Sequence, residues 1–218
     1  MPNGKKHLHV IFSLLVAVFL VLLFFSNRAL AAVAHSNTTA GTGTFATSSG
    51  SASFSHDSGL GSDRFLIVSV AYQNNYGHLV TGVAYAGTSM TAFGDNISGG
   101  AHRTRLFYLT NPPSGTNTVT ISHSGGINIA EWKAIASAYT GVHQTTPYQN
   151  YTTDSGTDWS SPLYEASTTV ASQLNDLVYS VASDLNAGRS WTPGSGQTER
   201  SDVSTGNYIS ITASEKAG

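Results

Sequence analysis

Short apolar runs that alternate with hydroxyl-bearing and glycine residues mark most of this chain. From Ile127 to Tyr139 one parity carries Ile127, Ile129, Glu131, Lys133, Ile135, Ser137 and Tyr139, and the other carries Asn128, Ala130, Trp132, Ala134, Ala136 and Ala138. A period of two over that length predicts a long β-strand, although Ala130 to Ala138 alone would also suit a helix. Arg64 to Gln73 is apolar on both parities through Leu66, Ile67, Val68, Val70 and Ala71, the pattern of a central strand covered on both faces. Val80 to Phe93, Arg103 to Thr110 and Thr116 to His123 are rich in β-branched and aromatic residues and bounded by Gly, Asn, Pro or Ser, so they read as strands. Ser51 to His56 alternates small polar residues with Ala52 and Phe54. Glu165 to Val170 and Asp176 to Asp184 make a further strand pair, and Gln197 to Arg200 and Tyr208 to Ala213 follow as the last runs.

The punctuation between these runs is specific. Ala86-Gly87 marks a hairpin turn, Asn111-Pro112-Pro113-Ser114-Gly115 an exposed breaker, and Pro193-Gly194-Ser195-Gly196 another. Thr140 to Leu163 has no periodicity and is the longest loop candidate, a kind of segment that often carries function. Some ten short strands with turn chemistry between them predict an all-β fold, an antiparallel β-sandwich or jelly roll.

The beginning of the chain differs. Lys5 and Lys6 precede an apolar run from Val10 to Phe25, followed by Ala29-Leu30-Ala31 and Ala32-Val33-Ala34. That layout predicts a signal peptide over residues 1–34, with cleavage after Ala34 or Ala31. The apolar core is about 16 residues against the roughly 20 of a membrane span, and the competing reading is a retained anchor, the chain's only membrane contact. Either reading places the rest outside the cytoplasm, secreted or at the cell surface. Residues 35–50 form a Ser/Thr/Gly-rich leader, a flexible stalk or loosely held first strand, and residues 51–218 one sandwich domain.

Composition narrows the function. The 218 residues include 30 serines and 25 threonines and no cysteine, which removes disulfide scaffolds, thiolate zinc sites and cysteine nucleophiles. Removing residues 1–34 leaves 7 basic against 12 acidic residues, an unsuitable balance for binding nucleic acid. No G-x-S-x-G elbow, H-E-x-x-H, P-loop or EF-hand loop occurs, so no catalytic or metal-binding residues are assigned and an enzyme is the less favoured reading.

Sugar rings stack their apolar faces on aromatic side chains, so Trp159, Trp191, Tyr76 and Tyr151, with Tyr148, all in loop-like stretches, are candidate ligand-binding residues. The alternative role for Trp159 and Trp191 is to cap the core under their own loops. Glu131 and Lys133 share a strand face beside Trp132, which suits either a cleft with a catalytic acid or a sugar hydrogen-bonding group, or a cross-strand or same-face ion pair on a solvated sheet. Arg103 and Arg105 share a face and suit a carboxylate or sulfate, or edge protection by charge. Asp154 and Asp158 on a glycine-containing loop offer calcium two carboxylates, and a plain turn explains them as well. His56, His78, His102, His123 and His143 are scattered without ligand spacing.

Several segments together resemble β-sandwich modules, lectin-like or carbohydrate-binding-like, of secreted and surface-attached bacterial proteins. They are Arg64 to Val68, Val83 to Met90, Leu106 to Gly115, Tyr139 to Pro147 and Gly196 to Arg200, and the likeness runs from about Ser51 to the end. It implies fold and location and no catalytic residue. In such modules a turn like Glu215-Lys216-Ala217-Gly218 is followed by one or two further strands. The resemblance therefore implies either a C-terminally truncated domain or one completed by a strand from another chain, with a free edge beside Tyr208 to Ala213. The leading expectation is a non-catalytic extracellular module for cell-surface attachment or for recognising a glycan or surface polymer. The alternatives are a structural subunit self-associating through that C-terminal sheet edge, and a jelly-roll glycoside hydrolase or lyase using Glu131 with Glu165 or Asp158.

Overall fold

A computed structural model describes residues 32–46, 48–74, 76–98, 101–154, 167–186 and 188–218. The signal-peptide reading and Trp159, Glu165 and Asp158 fall largely or wholly outside them. Among the described residues the chain is all-β, with twelve strands and no helix, and hence none long and apolar enough to cross a membrane. Every strand pair is antiparallel.

The strands form a sandwich with a third layer. The five-stranded sheet holds, in spatial order, β1 (Ala34–Phe45), β9 (Ala130–Thr140), β3 (Phe65–Gln73), β7 (His102–Thr110) and β6 (Thr91–Ser98). A four-stranded sheet of β2 (Gly50–Asp57), β8 (Thr116–Ser124), β4 (Leu79–Tyr85) and β5 (Thr88–Ser89) covers one face. A three-stranded sheet of β10 (Leu177–Asp184), β12 (Ser210–Ala217) and β11 (Thr198–Val203) covers the other.

This layering explains why β3 is apolar on both parities. Leu66, Val68, Val70 and Tyr72 pack with Val80, Val83, Tyr85, Val119 and Ile121 of the four-stranded sheet. Ala71, with Ile135 of β9, meets Ile209, Ile211 and Ala213, while Phe65 and Ile67 meet Tyr139, Leu177 and Tyr179. All nine residues of β3 are buried. At roughly 25 cal/mol per Å² of apolar surface removed from water, these two interlayer cores are the main source of stability.

Of the two readings of the leader, the first strand holds: β1 runs from Ala34 to Phe45 and pairs with β9 along its whole length, with one register shift between His35 and Asn37. Its small Thr, Ser and Gly residues hide the alternation, but Gly41 and Phe45 are buried by the opposing β2 layer and core. Residues 167–173 form no strand; pairing starts at Leu177, after the turn in which the Asp176 N–H donates to Gln173 O. Glu215-Lys216-Ala217 is strand and not turn, because β12 continues to Ala217 opposite Leu177. The C-terminal strand also has no free edge, since β10 pairs one side of it and β11 the other.

Candidate functional site

The outer strand of the five-stranded sheet carries the most unusual surface. β6 pairs with β7 and shifts register between Ala92 and Gly94, so Asp95 stands opposite Arg105. A bulge of this kind bends an edge strand and re-aims its side chains. The loop that follows β9 lies across this edge. The Asp95 N–H donates to the Tyr151 hydroxyl oxygen at 3.1 Å, and Asn96 Nδ2 donates to the main-chain oxygen of Asp154 at 2.9 Å. Gly94 permits that crossing, because a Cβ there would lie 2.9 Å from the Tyr151 ring.

Phe93 is the centre of an aromatic platform. Its ring centroid lies 5.5 Å from Tyr108, 5.2 Å from Tyr148 and 6.2 Å from Tyr151. Tyr108 in turn lies 5.5 Å from Tyr148 and is stacked at 5.5 Å on Phe65 of the central strand. Such offset and edge-on pairs hold rings in place, so the exposed members are preorganised. Tyr148 and Tyr151 remain 47% and 42% exposed. Burial raises the Tyr151 phenol above its ordinary pKa, so at neutral pH it keeps a proton to donate while its oxygen accepts from Asp95 N–H.

Beside the platform is an open depression of about 230 Å³ lined by Ala92, Phe93, Gly94, Asp95 and Arg105. Asp95 is gripped by Arg103 in a two-pronged pair, Nε to Oδ1 at 2.6 Å and Nη2 to Oδ2, and this hydrogen bonding lifts the Arg103 pKa further. Arg105 Nε lies 3.6 Å from Asp95 Oδ2, its Nη1 donates to Val80 O, and its guanidinium sits 5.3 Å over the Phe107 ring. The arrangement brings aromatic faces, a carboxylate, planar donors and a phenol to one open edge.

Of the six residues expected to bind ligand, Trp159 lies outside the described residues, and among the other five Tyr151 alone belongs to this patch. Trp132 points to the other face of β9, 3% exposed, with its ring 5.9 Å from Phe45, so it offers no face to a sugar. Glu131 is committed internally: Oε2 accepts from Asn207 N–H at 3.2 Å and Tyr208 N–H at 2.6 Å, and Oε1 lies 3.6 Å from Lys133 Nζ. The ion pair is therefore not on a solvated face: the Lys133 side chain is buried and that of Glu131 only 12% exposed. Lys133 is fully buried and donates to Ile209 O, and the pair clamps the loop between β11 and β12. Gly206 is required there, with φ of +133° and a Cβ position that overlaps the Glu131 carboxylate.

Trp191 is half-buried. Its N–H donates to Asp202 Oδ2 at 2.9 Å and its indole N–H faces Ser210 Oγ at 3.4 Å, so the ring caps the outer side of the three-stranded sheet. Tyr76 is half-buried in the turn before β4, where its carbonyl accepts from Ile127 N–H at 3.1 Å. Asp154 is described without its partner Asp158, and among the described residues no group of three or more His, Asp or Glu is placed to hold a metal.

A second polar cluster fastens the third layer. The Tyr139 hydroxyl donates to Glu215 Oε2 at 2.8 Å, and Arg200 pairs with Glu215 Oε1. Burial pushes the Glu215 carboxyl up, but the hydrogen bonds from Arg200 and Tyr139 outweigh it and hold the pKa below the usual range.

Phe93, Tyr108 and Asp95 were not singled out from sequence. The signal was available in part, because pairing the runs on either side of residues 99–100 sets Asp95 opposite Arg105. What brings Tyr148 and Tyr151 onto Phe93 is an aperiodic loop, which has no sequence signature of its path. The fold and edge patch define a class, an antiparallel β-sandwich with a preorganised aromatic and polar surface. No family model matches the chain, and no curated protein or solved structure does either.

Proposed function

We propose that this protein is a non-catalytic, exported β-sandwich module that holds saccharide chains at the β6 edge and so attaches to, or recognises, a glycan or cell-surface polymer. The observation that carries the reading is the pair of half-exposed rings, Tyr148 and Tyr151, both packed against Phe93 and Tyr148 also edge-on to Tyr108, beside a depression lined by Asp95 and Arg105. Saccharides present apolar C–H faces and arrays of hydroxyls. Fixed aromatic faces take the first, and a carboxylate, a guanidinium and a phenol take the second at little entropic cost. Export is supported by the layout of residues 1–34, and the hydroxyl-rich, cysteine-free composition is compatible with it. The reading as a subunit assembling through an unpaired C-terminal edge loses its premise, because β12 is paired on both sides.

The test is a glycan array probed with the purified 218-residue chain and with the Tyr148→Ala/Tyr151→Ala double variant. The reading predicts binding to a subset of saccharides by the parent and its loss in the variant at unchanged thermal stability. Binding that survives removal of both rings would place the site elsewhere.

A further inference from the structure

Two guanidinium groups meet a single carboxylate at the β6 edge. Arg103 engages both oxygens of Asp95, whereas Arg105 reaches only Oδ2, at 3.6 Å, beyond hydrogen-bond length. Among the described residues the cluster thus carries one positive charge in excess. The phenol of Tyr72 faces both arginines from β3 and leaves that excess unchanged, since burial raises its pKa.

Arg105 is also under-used as a donor. One Nη donates to Val80 O, while the Nε is buried and has no hydrogen-bond acceptor among the described residues. A buried charged donor without an acceptor is costly, and the Phe107 ring beneath the guanidinium keeps its plane from turning away. Arg105 lines the depression together with Phe93 and Asp95. An oxyanion entering there would accept the unused donors of Arg105, while the ring that bears it lies against Phe93, the residue the depression shares with the aromatic platform.

Resting on the glycan reading above, we infer that the patch is selective for acidic sugars, those carrying a uronate carboxylate or a sulfate ester, with Arg105 as the residue that contacts the anion. The Arg103–Asp95 pair takes neighbouring hydroxyls. Charge-assisted, planar pairing of guanidinium with an oxyanion is stronger than hydrogen bonding to a neutral hydroxyl. A neutral chain therefore keeps the stacking and loses the discrimination.

The experiment is calorimetric titration of the full chain with matched pairs. Polygalacturonate, alginate and hyaluronan oligosaccharides are each compared with the carboxyl-reduced form, and dextran sulfate with dextran. The expected result is at least one charged member bound on the order of tenfold tighter than its neutral partner, a gap that shrinks as salt is added. Preference in the uronate pairs identifies a carboxylate and preference in the dextran pair a sulfate. Arg105→Gln should abolish the gap, bringing the charged and neutral members of each pair to the same affinity, and Asp95→Asn should widen it. Because Arg105 also supports Val80, Arg105→Lys serves as the control that keeps the charge and deletes the Nε donor; it should narrow the gap without unfolding. Equal affinity for charged and neutral partners overturns the acidic-sugar inference and leaves the glycan reading standing. Binding to no saccharide, here and on the array, removes both.

Discussion

Glu131 and Lys133 show how far a residue pair can be understood from its spacing. Two positions apart on a strand, they must share a face. That the face is covered by the β11–β12 loop depends on contacts some 75 residues away, which no local pattern encodes. The consequence is energetic. Glu131→Ala leaves a fully buried ammonium without its carboxylate and should cost about 3 kcal/mol or more in urea denaturation. Glu131→Gln combined with Lys133→Met removes both charges and should recover much of that loss. A double variant no more stable than Glu131→Ala would mean that the pair is not the loop's clamp. At the candidate site the corresponding residue is Gly94. Gly94→Ala pushes a methyl group against the Tyr151 ring, so saccharide affinity should fall severalfold while the melting temperature changes little.

Among elements, the legible ones were those with a strong alternating or two-faced apolar pattern. The two apolar parities of Leu66 to Ala71 predict a central β3, which is buried throughout, and the period of two over Ile127 to Tyr139 predicts a long β9, which starts only at Ala130, with Ile127 and Ile129 exposed before it. β1 was hidden because Thr, Ser and Gly give its parities no contrast, and its partner β9 lies far along the chain. What the sequence could not display is how close β1 approaches β2. A Cβ on Gly41 would sit 2.5 Å from the Phe54 ring. Gly41→Ala should therefore overpack the interlayer contact and destabilise by about 1–3 kcal/mol, read as a lower melting temperature. An unchanged melting temperature would show that the layers have slack there.

For the whole molecule, the two-faced character of β3 already implied cover on both sides, but the composition of the third layer was not legible. Its strands come from the last part of the chain, where short runs between Gly, Asn and Pro gave no order of pairing. One property of the assembled molecule follows from its buried imidazoles. Burial lowers the pKa of His56 and His102 from 6.5 to about 4, with Asp57 and Asp184 opposing only in part. In the unfolded chain both accept a proton below pH 6.5, whereas in the folded chain they resist it until about 4. Stability is therefore complete above the unfolded value and falls as pH drops from 6.5 to 4, approaching roughly 1.4 kcal/mol per pH unit for each histidine. Chemical denaturation across pH 4 to 7.5 checks this, and His56→Phe or His102→Gln should flatten the slope. A parent slope of zero would contradict it.

The central claim is that saccharides bind the β6 edge and not another surface. The most direct measurement is NMR mapping of the full chain with a bound oligosaccharide, following backbone amides and the arginine Nε–H signals. The account predicts perturbations confined to Ala92 to Asn96, Tyr148 to Tyr151 and the Nε–H of Arg105. Perturbations centred on Trp191 and the loop it anchors, with the β6 edge silent, would contradict it.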